Sequence, residues 1–64
     1  MNPSNYLTME ETMLISILNM KLRDFYPSLD ALCEDFHLDF TLLTERLASL
    51  GWEYNVQLNQ IKPR

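Results

Sequence analysis

The sequence is poor in cysteine, histidine and glycine, and these shortages exclude several classes of small protein. Each of the three occurs once in 64 residues. One cysteine cannot form an internal disulfide, and one cysteine with one histidine cannot close a zinc site. A chain this short buries only about 60% of its unfolded surface. Its stability must therefore come from a dense apolar core or from self-association.

Basic residues are also scarce. Five Lys and Arg against nine Asp and Glu give a formal net charge of −4 and a pI of about 4.6. A surface of this sign repels phosphate groups, so the charge argues against nucleic acid and anionic membranes as partners.

Long hydrophobic runs are missing as well. The apolar run from Met13 to Leu18 is broken by Ser16 and falls far short of the roughly 20 residues of a membrane span. The first residues, MNPSNYLTMEE, lack the basic region of a signal peptide. The unpaired Cys33 fits a reducing compartment. We therefore expect a cytoplasmic protein with one domain.

The middle of the chain predicts two short amphipathic helices joined by a tight turn. Ser28 and Asp39 are N-cap residue types, and Gly51 suits the position after a helix, which places the helices at about 28–36 and 40–50. Apolar residues recur at helical spacing in both, at Leu29, Leu32, Cys33 and Phe36 in the first and at Phe40, Leu43, Leu47 and Leu50 in the second. This is the helix-turn-helix arrangement.

An earlier helix is predicted over about residues 9–25, after an N-terminal arm over residues 1–8. Thr8 and Glu11 match a capping box, and Pro27 disfavours helical geometry in the residue before it. One stripe of this helix is predicted to face the core: Leu14, Leu18, Leu22 and Phe25, with Ile15 beside it. A polar stripe contains Thr12, Ser16, Asn19 and Arg23.

The same helix carries a second apolar line. It consists of Met9, Met13, Ile17 and Met20. A helix on the outside of a three-helix domain needs to bury only one stripe, and methionine suits adaptable binding surfaces as well as irregular cores. These four residues are the candidate interface, and burial in the core remains an equal alternative.

The C-terminal residues predict a β-hairpin over about 52–62. Trp52 and Tyr54 alternate with polar residues, and the segment 55–59 has the composition of a turn. We expect Trp52 to pack on the helices and anchor the hairpin. The predicted fold class is mainly α, a small α+β domain over 9–64 with a three-helix helix-turn-helix core and a C-terminal hairpin, in a winged-helix-like order.

Two resemblances add to this interpretation. The apolar spacing of the helix-turn-helix resembles that of winged-helix repressors, and it departs from their pattern at His37, where glycine is usual. The chain is also similar to a small bacterial family of stand-alone proteins known only as a domain of unknown function, through LISILNMKLRD (14–24), SLDALC (28–33), GWEYN (51–55) and NQI (59–61). The second resemblance implies a bacterial origin and no established activity.

A DNA-binding function is the alternative interpretation. Its candidate contacts lie on the third helix, which we expect to expose them, and in the hairpin: Thr41, Thr44, Arg46, Lys62 and Arg64. The polar hairpin residues Asn55, Gln57, Asn59 and Gln60 could add contacts. Groove-reading helices present several Arg, Lys, Asn or Gln residues, whereas this helix has a single basic residue. An ordinary solvated face is the better interpretation.

Residues with catalytic or metal-binding chemistry do not form a recognisable pattern. His37 and Cys33 lack the third group that a nucleophilic site requires. The acids Glu34, Asp35 and Asp39 lack the spacing of a calcium loop. We expect no catalytic residues, no cofactor, no metal and no small-molecule substrate. The leading hypothesis is a non-catalytic module that binds a protein partner or a second copy of itself.

Overall fold

Three helices precede a two-stranded antiparallel hairpin in the computed structural model, which describes residues 9–64. The elements are α1 (Glu11–Asp24), α2 (Leu29–Phe36), α3 (Phe40–Ser49), β1 (Trp52–Asn55) and β2 (Gln60–Pro63). This confirms the predicted small, mainly helical α+β fold class, with three helices followed by a hairpin. The arm predicted for residues 1–8 lies outside the described residues. Within 9–64, no helix has both the length and the apolar character that crossing a membrane would require.

Helix α1 begins at Glu11 rather than near Met9. Its N-cap is Glu10, whose carboxylate accepts two hydrogen bonds of 3.0 Å from backbone N–H groups of the first turn. These bonds hold the pKa of Glu10 below its ordinary value. The predicted cap, Thr8, lies outside the described residues, and its predicted partner Glu11 instead accepts a 3.0 Å hydrogen bond from Trp52 Nε1. The capping-box prediction was therefore wrong, because a neighbouring acid provides the cap.

The other two helices start and end as local chemistry predicts. Ser28 Oγ accepts a hydrogen bond from the backbone N–H of Ala31, and Asp39 Oδ1 accepts one from that of Leu42, both at 3.1 Å. Gly51 follows α3 with φ +87°, a left-handed conformation that residues with a Cβ rarely adopt. The N-cap assignments and the role of Gly51 are confirmed.

The core joins all three helices to β2. Its buried residues are Leu14, Ile15, Leu18, Leu22, Leu29, Leu32, Cys33, Leu43, Leu47 and Ile61. Trp52 packs against this cluster, as predicted. Of the predicted stripe residues, Phe36 and Leu50 are partly buried against this cluster. Phe25 and Phe40 lie outside it, because they are 68% and 39% exposed. Phe25 follows the end of α1 with φ −128°, so it has left the helical path. Phe40 is the first residue of α3 and has no preceding helical turn to cover its ring.

The hairpin register determines which backbone groups point outward. Its pairs are Trp52↔Pro63, Glu53↔Lys62, Tyr54↔Ile61 and Asn55↔Gln60. The N–H of Arg64 donates to the carbonyl of Gly51 at 2.9 Å. Gly51 and Arg64, the pair that follows Trp52 and Pro63 at the open end of the hairpin, are therefore hydrogen-bonded. Because hydrogen-bonded and non-hydrogen-bonded pairs alternate, Tyr54 and Ile61 form a non-hydrogen-bonded pair. The backbone N–H and carbonyl of Tyr54 therefore point to the outer edge of β1, and those of Ile61 to the outer edge of β2. Pro63 falls in a non-hydrogen-bonded pair, which suits a residue without an N–H.

Asn19 of α1 holds the outer edge of β2. Its Nδ2 donates to the carbonyl of Ile61 at 3.1 Å, and its Oδ1 accepts from the N–H of the same residue at 2.6 Å. The side-chain amide thus takes the place that a neighbouring strand would occupy. Asn19, a member of the predicted polar stripe, therefore attaches β2 to α1.

Asn59 ties the other end of the hairpin to the helices. Its Nδ2 donates to the carbonyls of Leu22 (3.0 Å) and Tyr26 (2.9 Å), and its Oδ1 accepts from the Tyr54 hydroxyl at 2.7 Å. The backbone of Asn59 has φ 53°, a left-handed conformation that asparagine tolerates better than most residues.

Candidate functional site

Two residues of the second apolar line, Met13 and Met20, lie on the side of α1 that faces away from the core. Met13 is 54% exposed and Met20 38% exposed. Ile17 lies between them and is half-buried against the core. Residues three and four apart share a helix face, so these three side chains form one surface, called here the α1 outer face (Met13, Ile17 and Met20). Met9, the fourth candidate, precedes the helix and packs partly against the core.

Charged residues of opposite sign flank the two ends of this face. Glu10 stands at the N-terminal end of this face, whereas Glu11 is about 200° of helix rotation from Met13 and bonds Trp52 instead. Lys21, Arg23 and the acidic Asp24 lie in the last turn of α1. This distribution matches the helix dipole, whose positive end is the N-terminus. One copy of α1 therefore carries an acidic group at one end of the face and, at the other, two basic groups with one acid, a net positive charge.

The basic end is partly neutralised by its neighbours. Arg23 Nε and Nη2 donate to the two carboxylate oxygens of Asp24, at 2.9 and 3.0 Å. This hydrogen bonding lowers the pKa of Asp24 and raises that of Arg23. Lys21 Nζ lies 5.7 Å from the ring centroid of Phe25 and 5.1 Å from that of Phe36. Both distances fall within cation–π range.

Arg46, the basic residue of α3, is turned toward the N-terminal end of α1. Its side chain is half-buried, and its Nη2 donates to the carbonyl of Met9 at 3.1 Å. The expectation of an exposed Arg46 was therefore wrong, because an unpaired backbone carbonyl at the start of α1 lies within its reach.

The remaining candidate nucleic-acid contacts do not gather around Arg46. Thr44 is two residues, or about 200° of helix rotation, away from it, and its hydroxyl donates to the carbonyls of Phe40 and Thr41 at 2.9 and 3.0 Å. Thr41 and Arg64 are exposed and Lys62 is half-buried. The structure thus brings Thr44 and Arg64 together at one cleft and leaves Arg46 elsewhere.

That cleft lies between α3 and β1, and the sequence pattern did not indicate it. Its volume is about 250 Å³. The lining residues are Thr44, Leu47, Ala48, Trp52, Glu53, Tyr54 and Arg64. Ala48 contributes a small side chain to this lining. The alternation of Trp52 with polar residues was the one available signal, since it predicted that Trp52 would pack on the helices.

The candidate catalytic groups occupy unfavourable surroundings for catalysis. Cys33 is buried, and this burial raises its thiol pKa to about 11, with smaller contributions from the charges of Asp30 and Asp39. A thiol with that pKa forms almost no thiolate, the nucleophilic form, at neutral pH. Residues 9–64 contain no group of three His, Cys, Asp or Glu side chains that could hold a metal ion.

His37 lies on a broad surface concavity near the end of α2. The concavity of about 550 Å³ is also lined by Tyr26, Ala31, Glu34 and Asp35. The Tyr26 hydroxyl donates to the carboxylate of Asp35. His37 has φ 57° at the end of α2, so the backbone supports its interpretation as a turn residue.

Residues 8–61 match the model of a protein family described as a domain of unknown function, DUF4250. No curated protein and no solved structure matches the chain.

Proposed function

The chain belongs to the DUF4250 family of unknown function, and from that premise we propose that it is a non-catalytic self-association module. The observation that carries the proposal is the exposure of Met13 and Met20, at 54% and 38%, on a helix whose opposite side is fully committed to the core. Removing apolar surface from water stabilises an assembly by about 25 cal/mol per Å². Pairing of the α1 outer face with a second copy removes this surface from water.

The charge distribution favours a second copy over an unrelated protein. Two α1 helices packed antiparallel place the acidic Glu10 end of one beside the Lys21 end of the other, which keeps a net positive charge although Arg23 is paired with Asp24. Their helix dipoles then oppose as well, which is the favourable arrangement. A two-fold symmetric dimer, the commonest oligomer, produces this pairing twice.

A non-catalytic role in the bacterial cytoplasm completes the proposal. Cys33 is free and buried, which is compatible with a reducing compartment. Its raised pKa makes it a poor nucleophile. The bacterial setting rests on the sequence resemblance.

A small DNA-binding regulator of helix-turn-helix type is the competing proposal. The succession of α2, a turn at His37 and α3 supports it. Against it stand the net charge of −4 and the engagement of Arg46 with the carbonyl of Met9. Self-association therefore ranks first.

Sedimentation equilibrium of matched variants tests the self-association proposal. Met13→Glu with Met20→Glu places two charges on the α1 outer face and spares the half-buried Ile17. The control, Val56→Glu with Leu58→Glu, adds the same charge at side chains that are 77% and 54% exposed in the hairpin turn. We expect the wild-type and control masses to rise above 7.6 kDa between about 10 µM and about 1 mM, a range typical of weak complexes.

The α1 variant should keep its helical circular dichroism and remain monomeric. A wild-type protein that is monomeric over the whole range would contradict the proposal. Equal association of the α1 variant and the control would also contradict it, because the contact would then lie elsewhere.

A further inference from the structure

The two outer edges of the hairpin differ in how their backbone groups are satisfied. At the β2 edge, the Asn19 side chain bonds both the N–H and the carbonyl of Ile61. At the β1 edge, the outward-facing N–H and carbonyl groups of Trp52 and Tyr54 have no hydrogen-bond partner within residues 9–64. Unpaired groups of this kind form a template for another strand.

The unpaired edge borders the cleft between α3 and β1. Thr44 and Ala48 lie one helical turn apart on α3 and face Trp52 and Tyr54 across it. The volume of about 250 Å³ is below the roughly 300–1,000 Å³ of small-molecule sites. The space therefore suits individual side chains of a polypeptide better than a metabolite or a cofactor.

We propose that this edge and cleft bind an extended segment of another protein, which adds as a third strand beside β1. The backbone of the segment pairs with Trp52 and Tyr54, and its alternate side chains enter the cleft beside Ala48. This is recognition by β-strand addition, in which main-chain hydrogen bonds give affinity and alternate side chains give specificity. The cleft selects small or medium apolar side chains.

A copy of the chain is the less suitable occupant of this edge. Both Trp52 and Tyr54 can pair with strand residues of a copy in one antiparallel register, with Trp52 opposite the copy's Tyr54. That register places the Glu53 carboxylates of the two chains directly opposite each other, and like charges in this position are destabilising. A foreign segment avoids this repulsion. The proposed site shares no residue with the α1 outer face, so it does not depend on self-association.

Selection from a display library of random, unconstrained nine-residue peptides tests the proposal on the full chain. We expect enriched peptides to have apolar residues at alternate positions and to shift the amide NMR signal of Tyr54. Ala48→Arg fills the cleft from an exposed helix position and should weaken their binding at least about tenfold. Ser49→Arg adds the same charge at the next residue and should leave binding unchanged.

Methylation of alternate peptide nitrogens separates main-chain pairing from simple apolar contact. It should abolish binding when the methylated nitrogens face β1. The proposal is overturned if no peptide is enriched, if Ala48→Arg has no effect, or if methylation is tolerated at every position. Enrichment of sequences matching WEYN would point to self-pairing, and enrichment of MNPSNYL to the chain's own N-terminal segment. Either result also overturns it. Ala48→Arg should leave the concentration dependence of the mass unchanged, so this test is separate from that of self-association.

Discussion

Single polar side chains attach the hairpin to the helices, and Asn19 is the clearest example. Its amide satisfies both main-chain groups of Ile61, which is itself 2% exposed. A polar group buried without a partner costs about 1–3 kcal/mol. Asn19 therefore contributes more to stability than a half-exposed polar residue on a helix ordinarily does.

Asn19→Ala should lower the free energy of unfolding by about 2 kcal/mol, because it leaves the N–H and carbonyl of Ile61 unpaired. Urea denaturation measures the loss, and amide exchange at Ile61 should accelerate. Ser16→Ala, an exposed change on the same helix, should stay within about 0.5 kcal/mol of wild type. A similarly small effect of Asn19→Ala would show that the two bonds do not support the hairpin.

The raised pKa of the buried Cys33 thiol should lower the stability of the folded protein at alkaline pH. Burial raises its pKa from 9.0 to about 11, so the unfolded chain loses the thiol proton at a lower pH than the folded chain. Stability from this group is complete below about pH 9 and is lost as the pH rises toward 11, by at most about 1.4 kcal/mol per pH unit. The stability difference between wild type and Cys33→Ala should therefore shrink over this interval. A constant difference would mean that the folded thiol titrates normally.

The side-chain hydrogen bonds that join distant elements could not be predicted from the sequence, because the two partners of each bond lie far apart in the chain. Asn19 and Arg46 bind backbone groups 42 and 37 residues away. Nothing in the local pattern separates Asn19 from a solvated polar residue of an amphipathic helix. The same limit explains the error for Arg46, whose helix position alone suggested exposure.

The elements themselves followed local rules far more closely. Ser28 and Asp39 cap their helices with their own side chains, so sequence alone was sufficient to locate these starts. The burial of the apolar residues within each helix was also predictable from their spacing, but that of apolar residues at the helix ends was not. Phe25 and Phe40 departed there, because helical periodicity no longer determines direction once the helix stops.

The turns provide a comparison between two residues with the same backbone conformation. His37 has φ 57° and Asn59 φ 53°, and glycine relieves the strain of either position. His37→Gly should raise the unfolding free energy by up to about 1 kcal/mol. Asn59→Gly should lower it by about 2 kcal/mol, because it removes the hydrogen bonds to Leu22, Tyr26 and Tyr54. Thermal and urea unfolding of both variants measure the contrast. If both variants changed the unfolding free energy in the same direction, either the backbone strain at His37 or the contribution of the Asn59 hydrogen bonds would be wrong.

At the scale of the whole molecule, charge predicts weak interaction with DNA. Non-specific binding is driven by the release of counterions as basic groups neutralise phosphates. A net charge of −4 opposes this process. We expect no fluorescence anisotropy change for a random duplex at about 150 mM salt with protein up to about 100 µM. Micromolar binding that weakens steeply with salt would place DNA binding ahead of self-association.

The most direct test of the proposed self-association is the response of the methionine methyl groups to protein concentration. With ¹³C-labelled methionine, leucine and valine methyl groups, we predict that the NMR signals of Met13 and Met20 shift together between about 10 µM and about 1 mM, a range suited to a weak dimer. The methyl signals of Val56 and Leu58 should not move. Methionine signals that stay constant over the range, or shifts confined to the hairpin turn, would contradict the assignment of the α1 outer face as the contact between copies.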